Sequence, residues 1–170
     1  MAHYSRSISH QSLAADEVQA LLFSYPIGRQ AIGITIKELL RDYPERLKSD
    51  ISVIAAVDLL TEEGKVLRQK STGHAHPYDS IRIFPQPHME LYKECGIEVR
   101  VRLQKDRTFD AYGFIRKAHP FFNGIPFERS FNTQEEKHPT ADAALIAGIG
   151  RARKMIDDEW FRPVAEVTPE

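Results

Sequence analysis

Cysteine is almost absent from this sequence, and what is missing excludes several classes of protein. A single cysteine, Cys95, cannot form an internal disulfide, so the chain is not a disulfide-stabilised secreted scaffold. No apolar run approaches the ~20 residues that a membrane-spanning helix needs. Residues 1–18 lack the apolar core of a signal peptide. We therefore expect a cytoplasmic protein that does not enter a membrane.

An excess of charge of either sign is also missing. Lys and Arg total 23 against 24 Asp and Glu, which leaves a net charge of −1. The whole chain therefore has no electrostatic attraction to nucleic acid, and any such binding must come from a local patch. Hydrophobic residues make up 42% and charged residues 28%, which is typical of a globular protein of one domain or two small ones.

Patterns that indicate catalysis or metal binding are scarce. The sequence has no Gly-rich phosphate loop and no nucleophile elbow, and a lone Cys95 cannot be distinguished from an inert thiol. His74 and His76 flank one alanine, but a structural zinc site needs four ligands, usually with thiolates among them. The paired acids are adjacent and so point in different directions, as on a solvated surface: Glu62-Glu63, Glu135-Glu136 and Asp157-Asp158. We expect neither enzymatic activity nor a cofactor or metal.

The most informative pattern lies in residues 33–84. Thr35 can cap a short helix, Ile36 to Asp42, and Tyr43-Pro44 ends it because the residue before proline avoids the helical region. A longer helix is predicted from Ile51 to Glu63, with Gly64 suited to the left-handed position after its end. Its apolar residues follow helical spacing: Ile51, Ile54, Ala55, Val57, Leu59 and Leu60.

Two strands and a first helix complete this half. Lys65–Lys70 alternates and predicts one strand, and Ser80–Phe84 predicts a second, with a polar loop between them. Ser12 can cap a helix that extends to Ser24. A loop is expected from Tyr25 through Gly33. The predicted order is helix, helix, turn, helix and a two-stranded hairpin.

The end of the longer helix resembles a known family. Its residues resemble the phrase aVdxLxxEGkVxR that ends the third helix of winged helix-turn-helix domains: Val57, Leu59, Leu60, Glu63, Gly64, Lys65, Val66 and Arg68. The resemblance covers about residues 10–85. It implies a DNA-binding domain whose second motif helix enters a groove, while cations of the turn and the wing contact phosphate.

This resemblance indicates which side chains would meet double-stranded DNA. We expect Lys48, Ser49 and Ser52 in the groove. We expect a set of cations on phosphate: Arg46, Lys65, Arg68, Lys70 and Arg82. Against DNA binding, Asp50 and Asp58 would repel phosphate, and the helix lacks the arginine, asparagine or glutamine that usually read bases. The alternative is a winged helix that contacts only protein.

The second half of the chain has a different pattern. Pro85–His88 predicts a linker, which divides the chain into domains at 10–85 and 95–162, and Met89–Glu94 is expected to add a helical turn. Three antiparallel strands follow, over Ile97–Leu103, Phe109–Lys117 and Phe127–Phe131. Thr140 caps a helix with a stripe of apolar residues, in which Gly148 permits close approach to the sheet: Leu145, Ile149, Ala152 and Ile156.

A further alternative is that the predicted C-terminal sheet binds double-stranded RNA through its exposed face. In outline, the β-β-β-α order resembles double-stranded RNA-binding domains, although an evident first helix is missing. RNA binding would require the Arg100–Lys117 face to be exposed. Tyr112 and Phe114 share one face of their strand, and we expect them to pack against the C-terminal helix.

The sequence as a whole predicts an α+β protein, with an N-terminal winged helix-turn-helix followed by a three-stranded antiparallel sheet and one packed C-terminal helix. The favoured function is DNA binding in transcriptional control. The C-terminal part would form a homodimer, bind a partner or sense a ligand. The alternative is a non-enzymatic protein-interaction module that does not bind nucleic acid.

Overall fold

The N-terminal half combines helices with a small antiparallel sheet. The computed structural model describes residues 15–47, 50–70, 81–118 and 126–159. In chain order, the elements of this half are α1 (residues 15–22), α2 (Ile27–Ile32), β1 (Ile34–Thr35), α3 (Ile36–Asp42), α4 (Asp50–Glu62), β2 (Val66–Lys70) and β3 (Ile81–Pro85). The strands are antiparallel in the order β1-β3-β2. The predicted start of the first helix at Ser12 and the hairpin loop, 71–80, lie outside the described residues.

The residues predicted to begin α3 and to end α4 adopt the expected capping conformations. Thr35 Oγ1 accepts a hydrogen bond from the Glu38 amide at 3.2 Å, and the Glu38 carboxylate accepts one from the Thr35 amide at 2.8 Å. This capping box confirms the predicted helix Ile36–Asp42. After α4, Gly64 has a φ of +71°, and the Lys65 amide donates to the carbonyl of Leu60 at 2.8 Å, which closes the helix end.

The C-terminal half is a sheet covered on one face by a helix. Its elements are β4 (His88–Tyr92), β5 (Cys95–Leu103), β6 (Phe109–Ala118), β7 (Pro126–Asn132) and α5 (Ala141–Glu159). All four strands are antiparallel, in the order β4-β5-β6-β7. The α+β class is confirmed. The predicted three-stranded sheet is wrong, because the sheet has a fourth strand, β4.

The extra strand replaces the helical turn that was expected at Met89–Glu94. That prediction is wrong because β4 pairs with β5 along its whole length, from His88 opposite Val99 to Tyr92 opposite Cys95. Lys93 and Glu94 have φ values of 46° and 64° and form the two-residue turn between the strands. The loop expected from Tyr25 through Gly33 likewise contains the short helix α2.

The buried side chains form two clusters. The first draws on α1, β1, α3, α4, β2 and β3, with Leu22, Ile34, Leu39, Val53, Leu60 and Ile83 at its centre. The second lies between α5 and the four-stranded sheet and contains Ile97, Val99, Ala111, Ile115, Ala152 and Ile156. Leu145 and Ile149, predicted for the α5 stripe, are partly buried against this second cluster. Gly148 lies within van der Waals contact of β5 and β6, as predicted.

Tyr112 and Phe114 lie on the sheet face opposite α5, which corrects the expectation that they pack against it. The register puts Val99 beside Gly113 and Ile97 beside Ile115, so the odd-numbered residues of β6 face the helix. On that face Ala111 and Gly113 leave room for the close approach of α5 at Gly148. The two aromatic rings are left for the outer face.

The two halves are joined by specific hydrogen bonds. The Tyr112 hydroxyl donates to the Phe23 carbonyl and accepts from Gln30 Nε2, each at 2.9 Å. Burial raises the pKa of Tyr112, which keeps its hydroxyl protonated as a donor. In the predicted linker Pro85–His88, Pro85 is buried and His88 is exposed. The division into two domains stays a prediction.

Candidate nucleic-acid interface

Four of the eight residues that the sequence predicts for DNA lie on α4 and on the strands β2 and β3: Ser52, Arg68, Lys70 and Arg82. In β2 only Val66 is buried, and the residues 67–70 are all exposed. The strand lies at the edge of its sheet, with β3 as its neighbour. Because side chains alternate along a strand, Arg68 and Lys70 point to one side and Leu67 and Gln69 to the other. The hairpin therefore presents two cations on a single face.

Two predicted residues besides Arg68 have exposed side chains on this surface, and a third, Arg82, lies on the other face of the same hairpin. Ser52 is exposed near the start of α4, and Lys70 is exposed at the end of β2. Because Arg82 lies on β3 opposite Gln69, its side chain is on the sheet face away from Arg68 and Lys70, and its Nη1 donates to the Gly33 carbonyl at 3.3 Å. Within the described ranges, no carboxylate lies within ion-pair distance of Lys70 or Arg82.

Arg68 is the predicted cation that has a partner on the same surface. Its guanidinium forms a hydrogen-bonded ion pair with the carboxylate of Asp58 on α4. The pair is partly exposed, at 39% for the Arg68 side chain and 51% for Asp58. Asp58 therefore offsets the charge of Arg68 and holds the Arg68 side chain beside α4.

Two predicted residues lie elsewhere. The Arg46 side chain is 18% exposed, and its Nη2 donates to the carbonyls of Gln104 and Lys105 at 3.0 Å each, in the C-terminal half. Lys65 Nζ pairs with Glu63 Oε2 at 2.9 Å. The structure does not bring these two cations together with Arg68. Lys48 and Ser49 lie outside the described residues.

A cavity between the two halves was missed by sequence reasoning. It has a volume of about 280 Å³, close to the lower end of the usual range for ligand pockets. Its charged lining residues include Asp16 on α1, Lys65 after α4 and Asp142 on α5. They come from segments far apart in the sequence, and no local motif marks them.

The titrating groups of this cavity influence each other. Burial raises the pKa of Asp16, with Lys65 acting in the opposite direction and Asp142 adding to the rise. For Lys65, burial alone would lower the pKa, but the hydrogen bond and charge of Glu63 outweigh it, and the pKa is raised. The cavity thus places the amino group of Lys65 near the carboxyl groups of Asp16 and Asp142.

Three of the arginines on the outer face of the C-terminal sheet form ion pairs within the protein. The Arg100 side chain is only 12% exposed and pairs with Glu98, while Arg116 bonds to both Glu98 and Glu128. Arg102 pairs with the buried carboxylate of Asp110. The arginines also cover the two aromatic rings, with Arg102 lying 4.6 Å from the centre of the Tyr112 ring. The predicted cationic face is thus largely neutralised within the protein.

The described residues include neither a membrane-spanning helix nor a cluster of metal ligands. In the part of the chain that the structure describes, no helix is long and apolar enough to cross a membrane. The same residues hold no group of three or more His, Cys, Asp or Glu side chains placed to bind a metal ion, and His74 and His76 lie outside them. Comparison of the chain with protein-family models, curated proteins and solved structures found no match.

Proposed function

We propose that this protein binds double-stranded DNA through α4 and the β2–β3 hairpin, and that it acts in transcriptional control. The observation that carries the proposal is the order of elements. Two helices, α3 and α4, are joined by a short turn and followed at once by an antiparallel hairpin, and β1 pairs with the inner strand of that hairpin. In DNA-binding domains of this order, the second helix enters the major groove beside the hairpin.

The charges of the hairpin support phosphate contact. Arg68 and Lys70 share one exposed face of β2, whereas Arg82, opposite Gln69 on β3, lies on the other face of the sheet. Each phosphate contact contributes about −0.9 to the slope of log K against log salt concentration. Two contacts, by Arg68 and Lys70, therefore predict a slope of about −2.

Fluorescence anisotropy with a labelled random duplex tests the proposal. Binding is measured over a salt series for the wild type and for Arg68→Ala combined with Lys70→Ala. We expect the double variant to bind at least about tenfold more weakly at low salt, with a slope reduced by about 2. A control variant, Arg151→Ala with Lys154→Ala on the exposed side of α5, removes the same charge and should bind as the wild type does.

A further variant separates contact from general charge. Asp58→Asn releases Arg68 from its ion pair and removes a negative charge from α4. If Arg68 contacts phosphate, Asp58→Asn strengthens DNA binding. Equal binding by the two double variants, or no binding of any duplex at low salt, would contradict the proposal.

The alternative function is that of a protein-interaction module, and exposed apolar side chains favour it. Ile32 on α2 and Leu67 on β2 are each 57% exposed, and Ile27 is 45% exposed. A contact made by such residues would depend little on salt, unlike phosphate binding. A salt-independent complex with a protein partner, together with the absence of DNA binding, would support this alternative.

A further inference from the structure

The strand β4 lies at one edge of the four-stranded sheet of the described residues. It is the first strand in the order β4-β5-β6-β7, with β5 as its neighbour among the described strands. Natural edge strands often carry charged side chains, especially lysine, or proline or a bulge, which prevent pairing with another chain. The sequence of β4, HMELY, contains neither lysine nor proline. Its Met89 and Leu91 side chains are 60% and 78% exposed, so apolar surface lies at an open edge.

The hairpin geometry shows which backbone groups of β4 are free. Lys93 and Glu94 both have positive φ, as in the two-residue turns that join antiparallel strands. In such a hairpin the pair that closes the turn is hydrogen-bonded, and hydrogen-bonded pairs then alternate along the ladder. The pairs bonded to β5 are therefore Tyr92–Cys95, Glu90–Ile97 and His88–Val99. The amides and carbonyls of Met89 and Leu91 point away from β5.

We propose that β4 pairs antiparallel with β4 of a second copy of this chain, with the two-fold axis at Glu90. In this register Met89 of one copy lies opposite Leu91 of the other, and the reverse holds on the far side of the axis. The outward backbone groups of both residues then form about four hydrogen bonds across the axis. The same residues place their exposed apolar side chains together on the sheet face away from α5.

The charges near the axis agree with a self-complementary pairing. Glu90 of each copy would meet its equivalent, and like charges directly opposite each other destabilise a sheet. In this protein, however, Arg153 of α5 holds the Glu90 carboxylate through Nε at 2.7 Å and Nη2 at 2.6 Å. Each carboxylate thus brings its own counter-charge to the axis.

Another register is less favourable. With the axis at Leu91, the exposed Met89 would lie opposite Lys93 of the second copy. That arrangement sets a cation against an apolar side chain, and it extends the ladder into a turn residue with a φ of 46°. The axis at Glu90 avoids both conflicts.

The size of the contact sets the expected affinity. Five residues of strand and two apolar side chains per copy bury less than the about 1,200 Å² of a standard stable interface. We therefore expect a dimer that forms as the concentration rises through the micromolar range. This inference does not depend on DNA binding, since β4 lies outside the proposed DNA surface.

Sedimentation velocity over about 1–200 µM measures the assembly. The wild type should shift from the monomer mass toward twice that mass, and Met89→Lys with Leu91→Lys should remain monomeric with an unchanged circular dichroism spectrum. Both side chains are exposed, so the monomer can accept lysine there. The control is Ile146→Lys on α5, where an apolar side chain is 70% exposed on a different element, and this variant should still dimerise.

Cysteine cross-linking tests the register without relying on the lysine variants. Under mild oxidation, Glu90→Cys should give a covalent dimer and Leu91→Cys should give little, because only position 90 meets itself across the axis. The native Cys95 is buried, so the wild type provides the uncross-linked baseline. A monomer at all concentrations, a dimer retained by the double lysine variant, or preferential cross-linking of Leu91→Cys would each overturn the proposal.

Discussion

Two glycines of α5 offer a matched test of how closely the helix lies on the sheet. A β-carbon placed on Gly148 would lie 2.8 Å from the Ala111 β-carbon and 2.9 Å from Val99 Cγ1, whereas one placed on Gly150 would meet nothing within 4 Å. In a helix interior, alanine is more favourable than glycine by about 1 kcal/mol. We therefore expect Gly150→Ala to raise the free energy of unfolding by about 1 kcal/mol.

At Gly148 the same helical gain is opposed by overpacking. Inserting a methyl group into a filled core costs about 1–3 kcal/mol. The upper end applies here, because both neighbours belong to strands held in a ladder. The expected net loss is about 2 kcal/mol, and the two variants should differ by about 3 kcal/mol.

Urea unfolding followed by circular dichroism measures both variants under the same conditions. For a chain of this size, the difference should also appear as a gap of about 6–12 °C between their melting temperatures. If Gly148→Ala were as stable as Gly150→Ala, the close contact of α5 with β5 and β6 would be wrong.

Two further predictions concern the contacts between the halves. Tyr112→Phe removes the hydroxyl that joins Phe23 and Gln30, and it should lower the free energy of unfolding by about 1–3 kcal/mol in urea titrations. The control Tyr25→Phe removes an exposed hydroxyl and should lower the free energy of unfolding by less. Equal losses for the two variants would contradict this role of Tyr112. The pKa of Asp16 is raised in the folded state, so its ionisation opposes folding above that pKa. Asp16→Asn should therefore raise the melting temperature at pH 7.5 and lose this advantage as the pH falls to 4, and a larger gain in acid would refute the reasoning.

The elements that the sequence predicts well are those specified by neighbouring residues. Thr35 and Glu38 form their capping box within a single turn, and the bounds of α3 agree with the prediction at both ends. Gly64 adopts the left-handed conformation that the end of α4 requires. Such interactions span only a few residues, so they can be recognised without any knowledge of the tertiary fold.

The elements that were missed depend on distant partners. β1 has two residues and exists because Ile34 and Thr35 pair with β3. The orientation of β6 is another example, since it has large side chains on both faces and alternation alone cannot choose between them. The choice follows from α5, because Gly148 approaches the face where Ala111 and Gly113 leave room. The sequence shows that Ala111, Gly113 and Gly148 are small, but it does not show that α5 and β6 come together at these residues.

The candidate interface also depends on contacts between residues that are distant in sequence. The sequence predicts Arg46 and Lys65 for the DNA surface because they are cations close to the predicted helix-turn-helix and wing. Charge does not specify direction, however, and Arg46 finds its acceptors on Gln104 and Lys105, nearly 60 residues away. Arg68 and Lys70 remain on the proposed surface because β2 is an edge strand with exposed side chains, a feature set by the order of the sheet.

DNA binding and dimerisation through β4 are coupled by the contacts between the two halves of the chain. Arg46 and Tyr112 bind the N-terminal half to the C-terminal sheet through hydrogen bonds on both sides of the join. A dimer formed through β4 would therefore hold its two α4 helices in one relative orientation. A two-fold protein binds best to DNA sites with matching two-fold symmetry and fixed spacing. Preference for such inverted repeats should then disappear in Met89→Lys with Leu91→Lys, while binding of a single copy through Arg68 and Lys70 remains.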